Sequence, residues 1–328
     1  MNSSNIIPII NLDYQKTRYI DDQADAIRKA CEGTGFFIVS NHGVDQRLID
    51  SCLKSALQFF QQPLSKKQHA SKKTPQSPYG FSYLGEERLA RSRGNYSPPD
   101  LKESFSMGPV EPRTVRKERS ESAFTQVPNV WPYSPHDFRA NFENYYRAMA
   151  CLSEALMRRF AIALKLPTDF FAPFISNPIS ALRANYYPLL TSKPARGQLR
   201  AGAHSDYGTL TVVAQSGELE GLEIQDRNGT WIPVRSRSSD LVINVGDLLA
   251  RWTNDRWKSS LHRVVIPDQG TLINPAKPRL SLAYFHQPNW DAKIRCLPSC
   301  LQEGQRPIYN DVISGQYLME KFHSTVKE

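Results

Sequence analysis

Three side chains suited to binding a metal ion occur late in the sequence, at His204, Asp206 and His262. In an extended chain residues i and i+2 point to the same side, so His204 and Asp206 would present an imidazole and a carboxylate to one face. His262 lies two residues before the apolar stretch 264–266, at the start of a predicted strand, and would add a second imidazole. Two histidines and one carboxylate leave positions open on a metal, which suits iron(II) with a co-substrate and dioxygen. Taken alone, the spacing also fits a chance pair or a histidine buried for packing.

The segments around these residues are more specific than the residues themselves. Residues 203–211 read AHSDYGTLT, residues 244–254 read NVGDLLARWTN ahead of HRV at 262–264, and residues 279–281 read RLS. They resemble the iron-binding and 2-oxoglutarate-binding segments of the 2-oxoglutarate/Fe(II)-dependent dioxygenases, in the isopenicillin N synthase-like subgroup. The N-terminal signature stretches of that family are matched at residues 33–37, 41–43 and 102–106. The resemblance implies that the two histidines and the aspartate bind iron(II).

The same resemblance implies a binding site for the 2-oxoglutarate co-substrate. Arg279 would pair with its distal carboxylate and Ser281 would form a hydrogen bond to it. A guanidinium offers a carboxylate a planar pair of donors that lysine lacks, and the i, i+2 spacing puts both side chains on one strand face. Asn185 and Tyr187 match family positions that line this pocket, with Tyr187 as a further 2-oxoglutarate partner.

Candidate substrate-binding residues carry a weaker signal. Arg183 precedes Asn185 on the same strand face and is expected either to hold an anionic group of the substrate or to pair with a neighbouring acid. Tyr79, Phe81 and Tyr83 lie in a polar stretch and would form either a substrate lid or a separate hydrophobic cluster.

The implied activity is the oxidation of a small molecule, expected to be a secondary metabolite, with 2-oxoglutarate and O2 consumed and succinate and CO2 released. The outcome would be hydroxylation, desaturation or ring rearrangement. One alternative is an isopenicillin N synthase-type oxidase, which keeps the iron but does not use 2-oxoglutarate. Another is a non-catalytic barrel that binds a small molecule. A zinc hydrolase would leave the 2-oxoglutarate-binding residues unexplained.

The elements that must position these residues are mostly short strands. Segments between residues 182 and 285 are rich in β-formers and are separated by Gly, Pro and Asn, with a hairpin signal at residues 226–229. Many short strands without alternating helices indicate an antiparallel sandwich or jelly roll. With the resemblance, the prediction is an α+β fold with a double-stranded β-helix (jelly-roll) core and supporting helices.

The helical elements lie mainly before this β-rich part. Apolar residues recur at three- and four-residue steps over 136–166, which predicts one long helix. Residues 65–135 are polar and poorly periodic, which predicts a long loop region. The chain is therefore divided into an N-terminal dioxygenase region with a long loop (1–135) and a helix with the jelly-roll core (136–328), expected to form one compact unit.

Composition sets broad limits on location and partners. The five cysteines are scattered, and neither a signal sequence nor an apolar stretch of about 20 residues is present, so a cytoplasmic protein is expected without a membrane partner. The net charge of +9 is spread along the chain without a recognisable nucleic-acid module. Nucleic acid is therefore not an expected partner, and the positive field would attract anionic small molecules.

Overall fold

The computed structural model describes residues 7–13, 19–74, 76–94, 97–110, 124, 127–216, 220–267 and 278–326. The strands are β1 (Ile9–Asn11), β2 (Phe36–Ser40), β3 (Gly80–Ser82), β4 (Glu103–Met107), β5 (Ala181–Tyr187), β6 (Ala201–His204), β7 (Leu210–Gln215), β8 (Leu222–Gln225), β9 (Trp231–Pro233), β10 (Leu241–Val245), β11 (His262–Val264), β12 (Arg279–His286), β13 (Lys293–Ile294) and β14 (Val312–Ile313). They form an eight-stranded sheet in the order β1-β2-β10-β7-β12-β5-β4-β3, a four-stranded sheet in the order β6-β11-β8-β9, and the pair β13-β14.

The helices are α1 (Ile20–Gly33), α2 (Gln46–Phe60), α3 (Leu64–Lys67), α4 (Phe138–Ala163), α5 (Asp247–Trp252) and α6 (Ser314–Val326). Of these, α1, α2 and α4 pack against the larger sheet. Short 3-10 helices occupy Gln68–Ala70, Leu89–Arg93, Ala172–Phe174 and Pro298–Cys300. None of the helices in the described ranges combines the length and the apolar character that crossing a bilayer requires.

The layers follow from the alternation of side chains along the strands. In β2, Phe37 and Val39 pack into one core cluster together with buried residues of α1, α2 and α4. Phe36 and Ile38 point to the other side and pack into a second cluster with residues of the four-stranded sheet, such as Ile224. Successive strand residues face opposite sides of a sheet, so the large sheet is buried by helices on one face and by the small sheet on the other. This arrangement is the predicted α+β jelly roll.

Two local predictions can be compared directly with the structure. The long helix predicted over 136–166 is α4, whose buried side chains keep the three- and four-residue spacing. The hairpin predicted at 226–229 connects β8 and β9, which pair in antiparallel register. There the Asp226 carboxylate accepts hydrogen bonds from the backbone N–H groups of Asn228 and Thr230, at 2.8 Å each.

The prediction of a long loop region over 65–135 was wrong in part. β3 and β4 lie within it and pair with each other, and β4 continues the large sheet by pairing with β5. These strands could not be predicted from the sequence because they are short and rich in Gly and Ser, residues that do not produce an apolar alternation. Strands from before and after residue 135 therefore share one sheet.

Candidate active site

His204 and His262 are brought together by strand pairing. His204 ends β6, His262 begins β11, and the two residues are direct partners in the antiparallel register of these strands. Their ring centroids lie 4.3 Å apart. Asp206 lies two residues beyond the end of β6. The backbone between them is not part of a strand, and it brings the Asp206 carboxylate next to the two imidazole rings.

The donor atoms of these three residues enclose a space suited to one ion. Asp206 Oδ1 lies 4.0 Å from His204 Nε2 and 3.7 Å from His262 Nε2. All three donor atoms lie within 4.8 Å of one another, and within the described part of the chain this is the one group of three or more such residues. Two imidazoles and a carboxylate on one side are the donor set of non-haem iron(II) oxygenases.

Neighbouring groups orient each donor atom. His204 Nδ1 lies 2.7 Å from the carbonyl oxygen of Gly202, and His262 Nδ1 lies 3.3 Å from that of Ser260. An Nδ1–H that donates to a carbonyl leaves the Nε2 lone pair for a metal. The other carboxylate oxygen of the aspartate is held by two donors, Thr211 Oγ1 at 2.6 Å and Asn244 Nδ2 at 2.8 Å. One carboxylate oxygen is thereby left for the ion.

The protonation states also suit a metal site. Burial, followed by the neighbouring His262, lowers the pKa of His204 to about 3, so this imidazole is neutral at neutral pH. Burial acts to raise the pKa of Asp206, but the two histidines and the hydrogen bonds from Thr211 and Asn244 outweigh it, and the pKa is lowered. A neutral imidazole and an ionised carboxylate are the forms that bind metal ions.

Arg279 lies in the same cavity as the histidines and the aspartate, with 2% of its surface exposed. Its guanidinium donates to Gln215 Oε1 at 3.0 Å and to Ser281 Oγ at 3.3 Å, while its Nε–H has no partner among the described residues. No described carboxylate lies within ion-pair distance of it, and burial lowers its pKa. A buried cation without a counter-ion is costly, so this guanidinium is suited to receiving an anionic ligand.

The predicted co-substrate residues surround this guanidinium. Strand pairing of β12 with β5 places Arg279 opposite Tyr187 and Ser281 opposite Asn185. The guanidinium carbon lies 5.2 Å from the centre of the Tyr187 ring. Asn185 lines the cavity, and its buried side-chain oxygen has no hydrogen-bond partner among the described residues. All four predicted residues therefore line one cavity with the histidines and the aspartate.

Of the tentative substrate residues, Arg183 and Tyr79 line this cavity. Arg183 also pairs with an acid, because its NH1 lies 3.1 Å from Glu87 Oε2, and its Nε donates to Ser106 Oγ at 2.9 Å. The two roles expected for Arg183 are therefore compatible in this geometry.

Phe81 and Tyr83 do not line the cavity, so their proposed place in a substrate lid needs correction. Phe81 is 1% exposed and packs edge-on against Phe59 in the core beneath the helices. Tyr83 is 39% exposed, and its hydroxyl lies 2.8 Å from Ser71 Oγ. Tyr79 and Phe81 are two residues apart but face different sides, because the chain departs from extended geometry at Gly80, whose φ is +122°. Phe81 therefore belongs to the main core, and neither a lid nor a separate cluster describes it.

Several site residues were not identified from the sequence. Lys102 lines the cavity beside Arg183, and Leu318 and Phe322 of α6 close its apolar side. Lys102 lies in a matched signature stretch, but its direction is set by the unpredicted β4. Gln215 has no sequence signal, because its contact with Arg279 depends on the pairing of β7 with β12.

Two family models match the chain. One is described as the N-terminal region of a non-haem dioxygenase in morphine synthesis and matches residues 7–134. The other is the 2OG-Fe(II) oxygenase superfamily and matches residues 178–288, which contain all three predicted metal ligands. Together the two matches cover most of the sequence in the order expected from the motifs.

Individual proteins are similar over nearly the whole length. The 2-oxoglutarate-Fe(II) type oxidoreductase ppzD of Metarhizium majus is 32% identical over 88% of this chain and 85% of its own. The proline hydroxylase buaE of Petromyces alliaceus is 32% identical over 90% of this chain and 91% of its own. The crystal structure of a full-length Neurospora crassa protein in complex with alpha-KG superimposes with a TM-score of 0.85, at 28% identity, over 99% of this chain and 98% of that protein. The chain therefore belongs to the 2OG-Fe(II) oxygenase superfamily and is a 2-oxoglutarate-dependent dioxygenase that uses Fe(II), 2-oxoglutarate and O2.

Proposed function

We propose that His204, Asp206 and His262 are the iron ligands of this dioxygenase. The proposal is supported by the spacing of their donor atoms and by the hydrogen bonds that fix each side chain. The carboxylate offers one oxygen to the ion, because its other oxygen is occupied by Thr211 and Asn244. Three protein ligands leave the remaining positions on the ion for the co-substrate and for O2.

Arg279 is assigned to the distal carboxylate of 2-oxoglutarate, with Ser281, Tyr187 and Asn185 completing this end of the cavity. The observation that carries this assignment is the buried guanidinium without a carboxylate among the described residues. A 2-oxoglutarate carboxylate would supply the missing counter-ion through charge-assisted hydrogen bonds. An oxidase of the isopenicillin N synthase type would have to compensate the same charge with a carboxylate of its own substrate, so succinate formation from 2-oxoglutarate distinguishes the two.

The bound iron and 2-oxoglutarate supply the oxidising chemistry when O2 is present, and succinate and CO2 leave as products. The protein side chains orient the substrate carbon and exclude water. The substrate is proposed to be a small molecule of the secondary-metabolite type, oxidised by hydroxylation, desaturation or ring rearrangement. The relative named as a proline hydroxylase supports a small substrate that carries a charged group. Arg183 is assigned to an anionic group of this substrate. A cytoplasmic location of the protein is part of the same proposal.

The proposal is tested by succinate formation in purified protein with Fe(II), 2-oxoglutarate and a panel of small metabolites. We expect succinate only when Fe(II), 2-oxoglutarate and O2 are all present. The variants His204→Ala and Arg279→Leu should lose this activity while remaining folded by circular dichroism. Metabolite oxidation that continues without 2-oxoglutarate would instead support the oxidase alternative.

A further inference from the structure

One carboxylate oxygen holds two cavity-lining cations. Glu87 Oε2 lies 2.8 Å from Lys102 Nζ and 3.1 Å from Arg183 NH1. Lys72 Nζ approaches the other oxygen of the same carboxylate at 3.8 Å. Burial acts to raise the pKa of Glu87, but the charges of Arg183, Lys102 and Lys72 together hold it well below its usual value. Glu87 is therefore a permanent anion shared among three cations.

The two cations face the cavity and the carboxylate does not. Lys102 and Arg183 line the cavity that contains the iron ligands, whereas Glu87 lies behind them. Lysine has three N–H donors and arginine has five. Among described residues Lys102 donates only to Glu87, and Arg183 donates through Nε and NH1, which leaves its NH2 group free. Donors of both side chains therefore remain for a ligand.

Two further carboxylates lie near these cations besides that of Glu87. The second carboxylate within 4.0 Å of these cations is that of Glu86, which reaches only Lys72 and is partly exposed. Asp100 lies close by, but its two oxygens accept from the backbone N–H groups of Gly202 and Leu89, at 3.0 and 3.2 Å, and burial raises its pKa to about 6. It forms no ion pair within the described residues. With a pKa of about 6 it is largely ionised at neutral pH, so three carboxylates lie near three cations, and Lys102 and Arg183 offer a ligand unused N–H donors and not a net positive charge.

Apolar side chains line much of the cavity beyond these two cations, although Gln287 lines it as well. Ile179, Phe285 and Phe124 line it, together with Leu318 and Phe322 of α6. Phe124 and Phe322 are in edge-to-face contact, with ring centroids 5.2 Å apart. A ligand that fills this part of the cavity would bury an apolar body while its anionic group reaches the two cations.

We propose that Lys102 and Arg183 together form a carboxylate-binding subsite, and that the substrate is an organic acid with an apolar body, held by the N–H donors that Glu87 and Ser106 leave unused. This inference rests on the proposed function and specifies its substrate class. Two donors fixed by one carboxylate would anchor the acid at a defined point, so that the apolar body presents one carbon towards the iron ligands. Lys102 would then be a specificity-determining residue that the sequence did not reveal.

The subsite can be tested with a matched series of probes. The acids are benzoate, phenylacetate, 3-phenylpropanoate and 4-phenylbutanoate, and each is compared with its uncharged amide. Binding is followed anaerobically as a change in the visible absorption of the protein loaded with Fe(II) and 2-oxoglutarate. We expect at least one acid to bind about 10- to 100-fold more tightly than its amide, since a hydrogen-bonded charge contributes about 1.5–3 kcal/mol.

Variants separate binding from fold stability. Lys102→Met should weaken binding of that acid by a similar factor, whereas Lys67→Met should leave it unchanged. Lys67 is a matched control because it forms a buried ion pair with Glu103, at 2.6 Å, outside the cavity. A cluster that serves only to hold the fold would leave the preference for acid over amide the same in Lys102→Met as in the parent protein.

The same absorption experiment distinguishes a failure of the carboxylate subsite from a failure of the proposed function. The Fe(II)–2-oxoglutarate absorption forms without any acid, so its absence would contradict the proposed function itself. If this absorption forms but no acid of the series changes it, or if amides bind as tightly as acids, the carboxylate subsite is wrong.

Discussion

His204 and His262 face each other directly across the antiparallel pair β6–β11, although a long stretch of sequence separates them. Their relative position is therefore set by strand register and not by local sequence. The register shifts between His262 and Val264, an irregularity of the kind found next to active sites. Asp206 lies outside the strand and depends on hydrogen bonds for its orientation.

Thr211→Val tests whether the orientation of Asp206 controls metal affinity. The substitution removes the hydroxyl that donates to Asp206 Oδ2 at 2.6 Å while preserving the side-chain shape. Loss of such a partner typically weakens metal binding by about 10- to 100-fold. We expect a weaker Fe(II) affinity of this order in chelator competition. Thr253→Val is the control, because its hydroxyl is buried and bonds only to backbone groups within residues 249–257. Equal affinities in the two variants would contradict the orientation role.

Arg279→Lys tests the recognition of 2-oxoglutarate. Lysine keeps the positive charge but loses the planar set of donors and the contact with Gln215. The KM for 2-oxoglutarate should rise by about 10- to 100-fold, the factor expected for hydrogen bonds to a charged group. Steady-state succinate formation at varied 2-oxoglutarate measures this change. An unchanged KM would show that the co-substrate binds elsewhere.

Gly246→Ala tests the close approach of two backbone segments next to the site. A Cβ at this position would lie 2.3 Å from the carbonyl oxygen of Gly208, a backbone atom that cannot move away cheaply. We expect a loss of about 1–3 kcal/mol in the free energy of unfolding, as for overpacked sites, together with weaker Fe(II) binding. Gly33→Ala is the control, since its added Cβ meets no atom within 4 Å. Denaturant unfolding measures both, and an equally stable Gly246→Ala variant would contradict this packing.

His286 predicts a pH dependence of stability. Burial lowers its pKa from 6.5 to about 4. Below pH 6.5 the unfolded chain takes up a proton that the folded protein does not, so stability is complete above this pH and falls as the pH decreases towards 4. The loss should approach about 3 kcal/mol, since one pKa unit corresponds to about 1.4 kcal/mol.

The variant His286→Gln should flatten the decline in stability between pH 6.5 and 4. The control His69→Gln changes an exposed side chain and should leave the decline as it is in the parent protein. Chemical denaturation at several pH values measures the free energy of unfolding. A decline that is identical in all three proteins would show that His286 does not cause it.

Much of the site was predictable from the sequence because its motifs are local. The i, i+2 pairs His204 with Asp206 and Arg279 with Ser281 were expected to share strand faces, and the structure places all four in one cavity. The predicted place of Phe81 beside Tyr79 was wrong because the chain departs from extended geometry at Gly80, whose φ is +122°, so the two aromatic side chains face different sides. No local pattern in the sequence predicts this departure.

The residues that the sequence missed depend on long-range pairing. Gln215 contacts Arg279 only because β7 lies beside β12, and Lys102 reaches the cavity because the adjacent β4 pairs with β5. Glu87 holds Lys102 and Arg183 across three separate segments of chain. No local pattern encodes such contacts, so they emerged only from the three-dimensional arrangement.

The most direct test of the iron and 2-oxoglutarate site is the visible absorption of the anaerobic protein after addition of Fe(II) and 2-oxoglutarate. A metal-to-ligand band should form in the parent protein and be lost in His262→Ala. The matched variant His69→Gln should retain it. A parent protein without the band, or a band that persists unchanged in His262→Ala, would contradict the assignment of the iron site.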